Sequence, residues 1–207
     1  MARQADNDTP LTTSIMTETY IYTIGHGNKT LEEIKAELAL YDIHYLIDVR
    51  SKPYSKFYPH FNREALEREF KQTPGITYAW WGDKIGGLPP VEWNCHTDEG
   101  KVDYDKLALH PLFQSGIERL VAAHDKNFKV ALMCSESDPR SCHRSKLIGR
   151  VLKERGIDVQ HIMRNKLGEI YTLSQSQIFA DVVNTQIDLF SETNEVHLSS
   201  KKSVTEP

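Results

Sequence analysis

The chain has 207 residues, of which 39% are hydrophobic and 26% charged, a composition that fits one globular domain with polar tails. Its formal net charge of −4 excludes the overall positive field of many nucleic-acid-binding proteins, so any anion site must be local. Three cysteines, an odd number, and the lack of a signal peptide or a membrane-length apolar run predict a cytoplasmic protein with no membrane contact.

The two ends of the chain differ in composition from the middle. Residues 1–18 are polar and lack periodicity, which predicts a flexible leader. Residues 191–207 are rich in Ser, Thr, Glu and Lys, which predicts a disordered tail. We therefore expect the folded domain to span residues 19–190. Nothing in the sequence indicates an oligomeric state.

Short apolar segments alternate with amphipathic segments along this domain. The five predicted strands are Tyr20–Ile24, Tyr45–Val49, Ile76–Trp80, Lys129–Met133 and Val159–Ile162. The predicted helices begin at Thr30 with a capping box to Glu33, run from Asn62 to about Lys71, and cover Pro111–His124, His143–Arg155 and about Ser174–Val183. Residues 82–103 are predicted to form a long loop. The alternation predicts an α/β fold, a three-layer Rossmann-like domain with a mostly parallel sheet.

The loops that follow parallel strands emerge at one edge of the sheet. The segments after the first four predicted strands are GHGN, DVRSKPYS, GDKIGG and CSESDPRSCHR, all of them polar or rich in glycine. Open α/β sheets bind ligands at this edge. The sequence therefore predicts a ligand site there.

The first of these loops joins a strand to a capped helix. Its glycines permit close backbone approach to a ligand, and His26 can donate to an anion or exchange a proton near neutral pH. Asn28 is a candidate binding residue. The alternative is a tight turn in which His26 holds a neighbouring loop.

The second loop follows the buried strand that ends near Asp48. A buried carboxylate needs a partner, so we favour a pair between Asp48 and an arginine across the edge, such as Arg144, which would orient that arginine. The alternative is that Asp48 is a general base. In either case Arg50 points into the cleft, and Ser51 is a candidate binding residue.

Basic and aromatic residues alternate in the segment KPYSKFYPHFN, residues 52–62. This pattern suits phosphates together with stacked bases, with Tyr54, Phe57 and Asn62 as candidate contacts. The alternative is an irregular loop whose aromatic side chains pack on the domain.

Cys134 and Arg140 have the C-x5-R spacing of cysteine phosphatase and sulfurtransferase loops. The carboxylates of Glu136 and Asp138 would repel a phosphate there, so Cys134 is expected to be a small buried residue at the strand end. Arg144 is then expected to be the anion clamp, beside free amides at the helix N-terminus. Cys142 and His143 would form a wall of the site or exchange protons.

A metal could be considered for Cys134, Cys142, His143 and His26. Their spacing matches no standard zinc pattern. We therefore expect no metal and no cofactor.

Taken together, TIGHGN, LIDVRSKPYSKFYPHFN, GG and ALMCSESDPRSCHRSKLI resemble the family called domain of unknown function 488. The resemblance is collinear and covers about Tyr22–Ile162. The family's GHS and LGG motifs correspond here to residues 25–27 and 85–87, with Gly27 in place of serine and Ile85 in place of leucine. Its M-C-x-E and C-H-R motifs correspond to residues 133–136 and 142–144. The resemblance implies an α/β fold and brings no settled reaction.

These observations predict an enzyme that acts on a phosphate-bearing substrate, a nucleotide or a nucleic acid, in a cationic cleft. Arg50, Arg144 and the helix amides would bind the phosphate, His26 or His143 would be the acid or base, and Glu136 or Asp48 would orient it. The other expected binding residues are Ser51, Tyr54, Asn62, Asn28, Cys134 and Cys142. Two alternatives remain, a non-catalytic nucleotide or nucleic-acid binding module and a cysteine-dependent enzyme that uses Cys134.

Overall fold

The structure is a computed structural model that describes residues 20–180. Its strands are β1 (Ile21–Gly25), β2 (Tyr45–Asp48), β3 (Thr77–Trp80), β4 (Val130–Cys134), β5 (Gln160–Arg164) and β6 (Ile170–Ser174). Its α-helices are α1 (Leu31–Leu40), α2 (Arg63–Lys71), α3 (Gly82–Ile85), α4 (Tyr104–Leu109), α5 (Pro111–Asp125) and α6 (Arg150–Glu154), and residues 175–180 are also helical. The predicted leader and tail fall outside the described residues, as do residues 181–190.

The strands form one sheet in the order β3-β2-β4-β1-β5-β6, in which only β6 runs antiparallel to its neighbour. The predicted α/β fold with a mostly parallel sheet is confirmed, but the sheet has six strands instead of five. The strand that the sequence did not reveal is β6, an edge strand that is only partly buried. Because β6 lies at the edge of the sheet and its side chains are only partly buried, its sequence lacks the continuous apolar run that marks a central strand.

Alternating side chains of the central strands feed two cores, one on each face of the sheet. On one face, Leu46 and Met133 pack with residues of α1 and α2. On the other face, Ile47 and Leu132 pack with residues of α5 and α6. The two cores therefore make the three layers that the alternation of elements predicted.

Two helical regions differ from the prediction. The expected loop over residues 82–103 contains α3 and a 3-10 turn at Val91–Trp93, and α4 follows it. The expected helix His143–Arg155 begins as a π-helical stretch, Arg144–Gly149, before continuing as α6. π-Helical turns lie frequently at functional sites because the extra residue redirects neighbouring side chains. In the described part of the chain, the helices are too short or too polar to cross a bilayer.

Candidate functional site

The candidate site lies at the carboxyl ends of β1, β2 and β4. In the sheet, Gly25 of β1 is opposite Cys134 of β4, and Asp48 of β2 is opposite Met133. The loops after β1 and β2 lead to helices on one face, whereas the loop after β4 leads to the other face. Such a divergence opens a crevice at the sheet edge.

Asp48 and Arg50 form a buried ion pair at the end of β2. Asp48 is fully buried, and its two oxygens accept from Nε and Nη2 of Arg50 at 2.9 and 2.6 Å. The hydroxyl of Tyr78 also donates to Asp48, at 2.8 Å. Nη2 of Arg50 donates further to the carbonyl of Phe61. The partner of Asp48 is therefore Arg50, two residues away, and not Arg144 as the sequence suggested.

Arg144 lies in the protein interior instead of the cleft. Its side chain has no exposed surface, and its guanidinium donates to Thr23 Oγ1 at 3.0 Å, to the Glu136 carbonyl at 2.5 Å and to Cys142 Sγ at 3.3 Å. A fully buried guanidinium cannot reach a ligand in solvent. The geometry thus gives Arg144 the role of holding the loop after β4, and the clamp predicted for it is not formed.

His26 sits between the loops after β1 and β2. Its ring stacks on Phe61, with centroids 4.1 Å apart, and its Nε2 lies 3.3 Å from Nη1 of Arg50. Nδ1 lies 3.0 Å from the carbonyl of Gly27, to which it can donate. Burial, and next the positive charge of Arg50, lower the pKa of His26 to about 4. His26 is therefore a neutral imidazole at pH 7.

Two thiols and a carboxylate meet beneath the loop after β4. Cys134 Sγ lies 2.8 Å and Cys142 Sγ 3.2 Å from the same oxygen of Glu136, to which protonated thiols donate. Burial would raise the pKa of Glu136, but these hydrogen bonds lower it to about 2. Glu136 is ionised at any pH near neutral.

The two thiols do not hold their protons equally. A hydrogen bond from Cys134 to Cys142 lowers the pKa of Cys142, and contacts with His143 and the charge of Arg144 add to this. The same hydrogen bond, followed by burial and by the negative charge of Glu136, raises the pKa of Cys134. Cys142 is therefore the first of the two to become a thiolate.

His143 completes this cluster from the start of the π-helical stretch. Its Nδ1 lies 3.7 Å from both sulfurs, of Cys134 and of Cys142. Its Nε2 lies 3.1 Å from the carbonyl of Val49. A Cβ on Gly87 would lie 2.7 Å from the His143 ring, so the second glycine of the Gly86–Gly87 pair is needed for this packing. Cys134, Cys142 and His143 are the residues that could hold a metal.

The C-x5-R spacing does not produce an anion cradle of the phosphatase kind. Arg140 forms an ion pair with Asp138 at 3.6 Å, and its side chain does not line the cleft beside Cys134. The carboxylate of Glu136 lies beside the sulfur instead. An anion approaching Cys134 would therefore meet a negative charge.

Two adjoining clefts open at this edge, and Arg50, Lys52 and Ser135 line both of them. The first has a volume of about 220 Å³ and contains the thiol cluster; its lining includes Tyr104, Gly87, Leu88, Cys134, Cys142 and His143. The second has a volume of about 350 Å³ and is lined by His26 and by loop residues that include Tyr54, Phe57 and Tyr58. The site is thus a cluster of two thiols, a carboxylate and an imidazole beside a groove lined with aromatic residues.

The remaining predicted site residues have different positions. Ser51 lines the first cleft and accepts a hydrogen bond from the backbone of Leu88. Asn62 accepts from the backbone of Ser55 at 2.6 Å, so it shapes the aromatic loop instead of facing the cleft. Asn28 is exposed and lines a separate depression with Arg164, so it is not brought to the site.

Three contributors to the site were missed from the sequence. Tyr104 lines the first cleft and begins α4, and Asp103, which caps that helix, was the signal that could have revealed it. Tyr78 donates to Asp48 from β3. Thr23 accepts from Arg144, and nothing in the local sequence predicts that contact.

The chain was compared with protein families and with known proteins. A model of the family described as domain of unknown function DUF488 matches residues 30–151, more than half of the chain. No curated protein matches the sequence, and no solved structure matches it either.

Proposed function

The chain belongs to the DUF488 family, whose description names no reaction, and we propose from the site itself that it is an enzyme acting on a phosphate-bearing substrate, a nucleotide or a nucleic acid. The observation that carries this proposal is the pair of exposed aromatic side chains beside the cleft. Tyr54 is 73% and Phe57 is 85% exposed, although large apolar groups are ordinarily covered. Exposed aromatic rings are the surfaces on which unpaired bases stack.

Positive charge accompanies these rings. Lys52 and Lys56 are exposed, and no carboxylate within residues 20–180 pairs with either of them. Arg50 also lines this cleft, and its Nη1 lies beside the neutral His26. Because Arg50 and Lys52 line both clefts and Arg144 lines neither, we assign phosphate contact to Lys52 and Arg50. The overall charge of −4 is compatible with a local site of this kind.

In the proposed enzyme, the reaction takes place at the cluster around Glu136. This carboxylate is ionised and exposed to the first cleft, so it can accept a hydrogen bond from a bound water or a substrate hydroxyl and orient it. Asp48 is already occupied by Arg50 and Tyr78, so it is a positioning residue and not the base. His143 holds its place through Val49 and faces the thiols.

The binding part is tested with fluorescently labelled single-stranded oligonucleotides in a salt series. Tyr54→Ala and Phe57→Ala should each weaken binding roughly 5- to 100-fold, the range for loss of one base stack. Lys52→Ala should weaken binding for all sequences and reduce the salt slope by about 1. Phe128→Ala and Lys126→Ala, at the opposite edge of the sheet, are matched controls and should leave affinity unchanged.

Equal losses in the controls, or the absence of binding to nucleotides and to oligonucleotides at low salt, would overturn the proposal. Turnover is then measured by product analysis on the ligands that bind. Glu136→Gln should abolish turnover and keep affinity within a few-fold. Binding without turnover over the whole ligand panel would identify a non-catalytic binding module instead.

A further inference from the structure

We propose that Cys134 Sγ, Cys142 Sγ and His143 Nδ1 form a binding site for a thiophilic divalent metal ion such as Zn²⁺. Among residues 20–180, this is the one group of three His, Cys, Asp or Glu side chains whose ligand atoms all lie within 4.8 Å of one another. The inference reverses the expectation drawn from the spacing of these residues. It is independent of nucleotide binding, which depends on the aromatic groove.

The distances fit tetrahedral coordination. Zinc bonds of about 2.3 Å to sulfur and about 2.0 Å to nitrogen place sulfur and nitrogen ligands about 3.5 Å apart in a tetrahedron. The observed distances from His143 Nδ1 are 3.7 Å to both sulfurs. Shifts of a few tenths of an ångström would therefore complete the coordination.

The imidazole of His143 is prepared for this role by its other nitrogen. Nε2 lies 3.1 Å from the carbonyl of Val49, which can only accept, so the ring proton resides on Nε2. The lone pair of Nδ1 then faces the sulfurs. Metal-binding histidines are held in this way by a backbone carbonyl or a carboxylate. Packing of the ring against Gly87 fixes its orientation further.

Arg144 supplies the polar surroundings that a metal-bound thiolate needs. Its backbone amide and its Nε lie 3.5 and 3.3 Å from Cys142 Sγ, and both are donors. Within the described residues, no carboxylate forms an ion pair with this buried guanidinium. A thiolate at Cys142 provides the missing negative charge, and a divalent ion shared with a second thiolate at Cys134 keeps the cluster near neutrality.

Three protein ligands leave a fourth position, which is typical of catalytic and not of structural zinc sites. All three side chains line the cleft of about 220 Å³, so that position is open to water or substrate. Glu136 lies beside both sulfurs and is placed to accept a hydrogen bond from a metal-bound water. Metal-activated hydrolysis or addition of water is the class of chemistry that this arrangement suits.

The test is a titration of the reduced full-length protein with Co²⁺ under anaerobic conditions. A tetrahedral site with two thiolates should give thiolate-to-cobalt absorption bands that saturate at one equivalent and that Zn²⁺ abolishes. Cys134→Ser, Cys142→Ser and His143→Gln should each weaken binding at least about 100-fold, more than the loss of a residue that only orients a ligand. Cys95→Ser removes a buried cysteine outside the cluster and should leave the titration unchanged.

A second measurement needs no variant and therefore does not depend on their folding. Zn²⁺ should protect Cys134 and Cys142 of the native wild-type protein from alkylation, as mapped by mass spectrometry, with Cys95 as the internal reference. The absence of cobalt bands together with unprotected thiols would overturn the metal site. Because the oligonucleotide titration uses the groove at Tyr54 and Phe57, its failure would leave this result unaffected.

Discussion

Arg50 connects two loops by binding Asp48 with Nε and Nη2 while its Nη1 lies 3.3 Å from Nε2 of His26. Because Nδ1 of His26 can donate to the carbonyl of Gly27, its Nε2 can accept from the guanidinium. Asp48 thus holds the guanidinium of Arg50 in place, and the guanidinium in turn holds the neutral imidazole of His26. The segments after β1 and β2 are joined by this contact although β4 lies between their strands.

Asp48→Asn should lower the free energy of unfolding by about 3 kcal/mol, because it leaves the buried guanidinium of Arg50 without its counter-charge. Urea denaturation measures the change. Asp42→Asn is the control, since Asp42 is 75% exposed and its substitution should cost no more than about 0.5 kcal/mol. A shift no larger than that of the control would show that the pair contributes little.

The ion pair between Asp48 and Arg50 also determines how a substitution of Arg50 must be interpreted. Arg50→Met alone strands a buried carboxylate and should also be strongly destabilising, so loss of ligand binding in that variant would be ambiguous. The double variant Asp48→Asn, Arg50→Met should be less destabilised than the sum of the single variants. Additive losses would mean that the two residues act separately.

Gly25→Ala should destabilise the protein by about 3 kcal/mol, because the added Cβ would lie 2.0 Å from the carbonyl oxygen of Glu136. That oxygen accepts from Arg144, so the loop cannot move away without breaking the contact. Thermal and urea unfolding provide the measurement. In Gly75→Ala, where the backbone has φ +83 and the Cβ meets nothing, the cost should be about 1 kcal/mol. Equal costs in the two variants would argue against the steric explanation.

His161 should make stability depend on pH. It is fully buried between Thr23 and Gln175, and burial is the main cause that lowers its pKa to about 4, from about 6.5 in the unfolded chain. The unfolded state therefore binds more protons between these values. Stability from this group is complete above pH 6.5 and is lost as the pH falls toward 4, by roughly 3 kcal/mol at most.

Urea denaturation of wild type and His161→Gln from pH 7 to pH 4 tests this dependence. The variant should lose less stability over this range, because its side chain cannot take up a proton. His44→Gln, at a side chain that is 54% exposed, should keep the wild-type slope. Identical slopes for wild type and His161→Gln would rule out His161 as the origin.

Glu37→Gln should cost about 2 kcal/mol, because the fully buried carboxylate of Glu37 binds Lys29 at 2.6 Å and Arg164 at 2.9 Å and thereby joins α1 to β5. Both cations are partly exposed, which keeps the loss below that of a wholly buried pair. Glu67→Gln breaks an exposed pair with Arg63 and should cost less than about 0.5 kcal/mol. Comparable losses in chemical denaturation would show that burial of Glu37 adds nothing.

Local patterns predicted the parts of the fold that depend on local chemistry. The apolar runs placed β1 to β5 within about two residues, and the Thr30–Glu33 capping box is present at the start of α1. Patterns fail for β6, whose partly exposed strand depends on pairing with β5, and for α4, which lies in a polar region. β6 depends on its antiparallel pairing with β5, and α4 depends on its cap at Asp103 and on its contact with α5, and hydrophobic periodicity encodes neither.

The location of the candidate site could be predicted from the sequence, but its side-chain contacts could not. Parallel strands bring their loops to one edge, so His26, Asp48 and Cys134 could be placed together from the sequence. The orientation of each side chain depends on the fold of the loops. The 3-10 turn Pro139–Ser141 returns the chain so that Cys142 meets Cys134, and Arg144 turns inward to Thr23. Residue spacing predicts neither the contact between the two cysteines nor the inward orientation of Arg144.

The position of β4 determines when the molecule can fold. β1 and β2 do not pair with each other, because β4 lies between them and pairs with both. During synthesis, the first two strands therefore stay unjoined until residue 134 has left the ribosome, and a fragment that ends before residue 130 has no continuous sheet. Long-range pairing of this kind slows folding. The strand that joins β1 to β2 also carries Cys134, and Cys142 and His143 follow it, so a chain that ends before residue 130 lacks the residues of the thiol cluster.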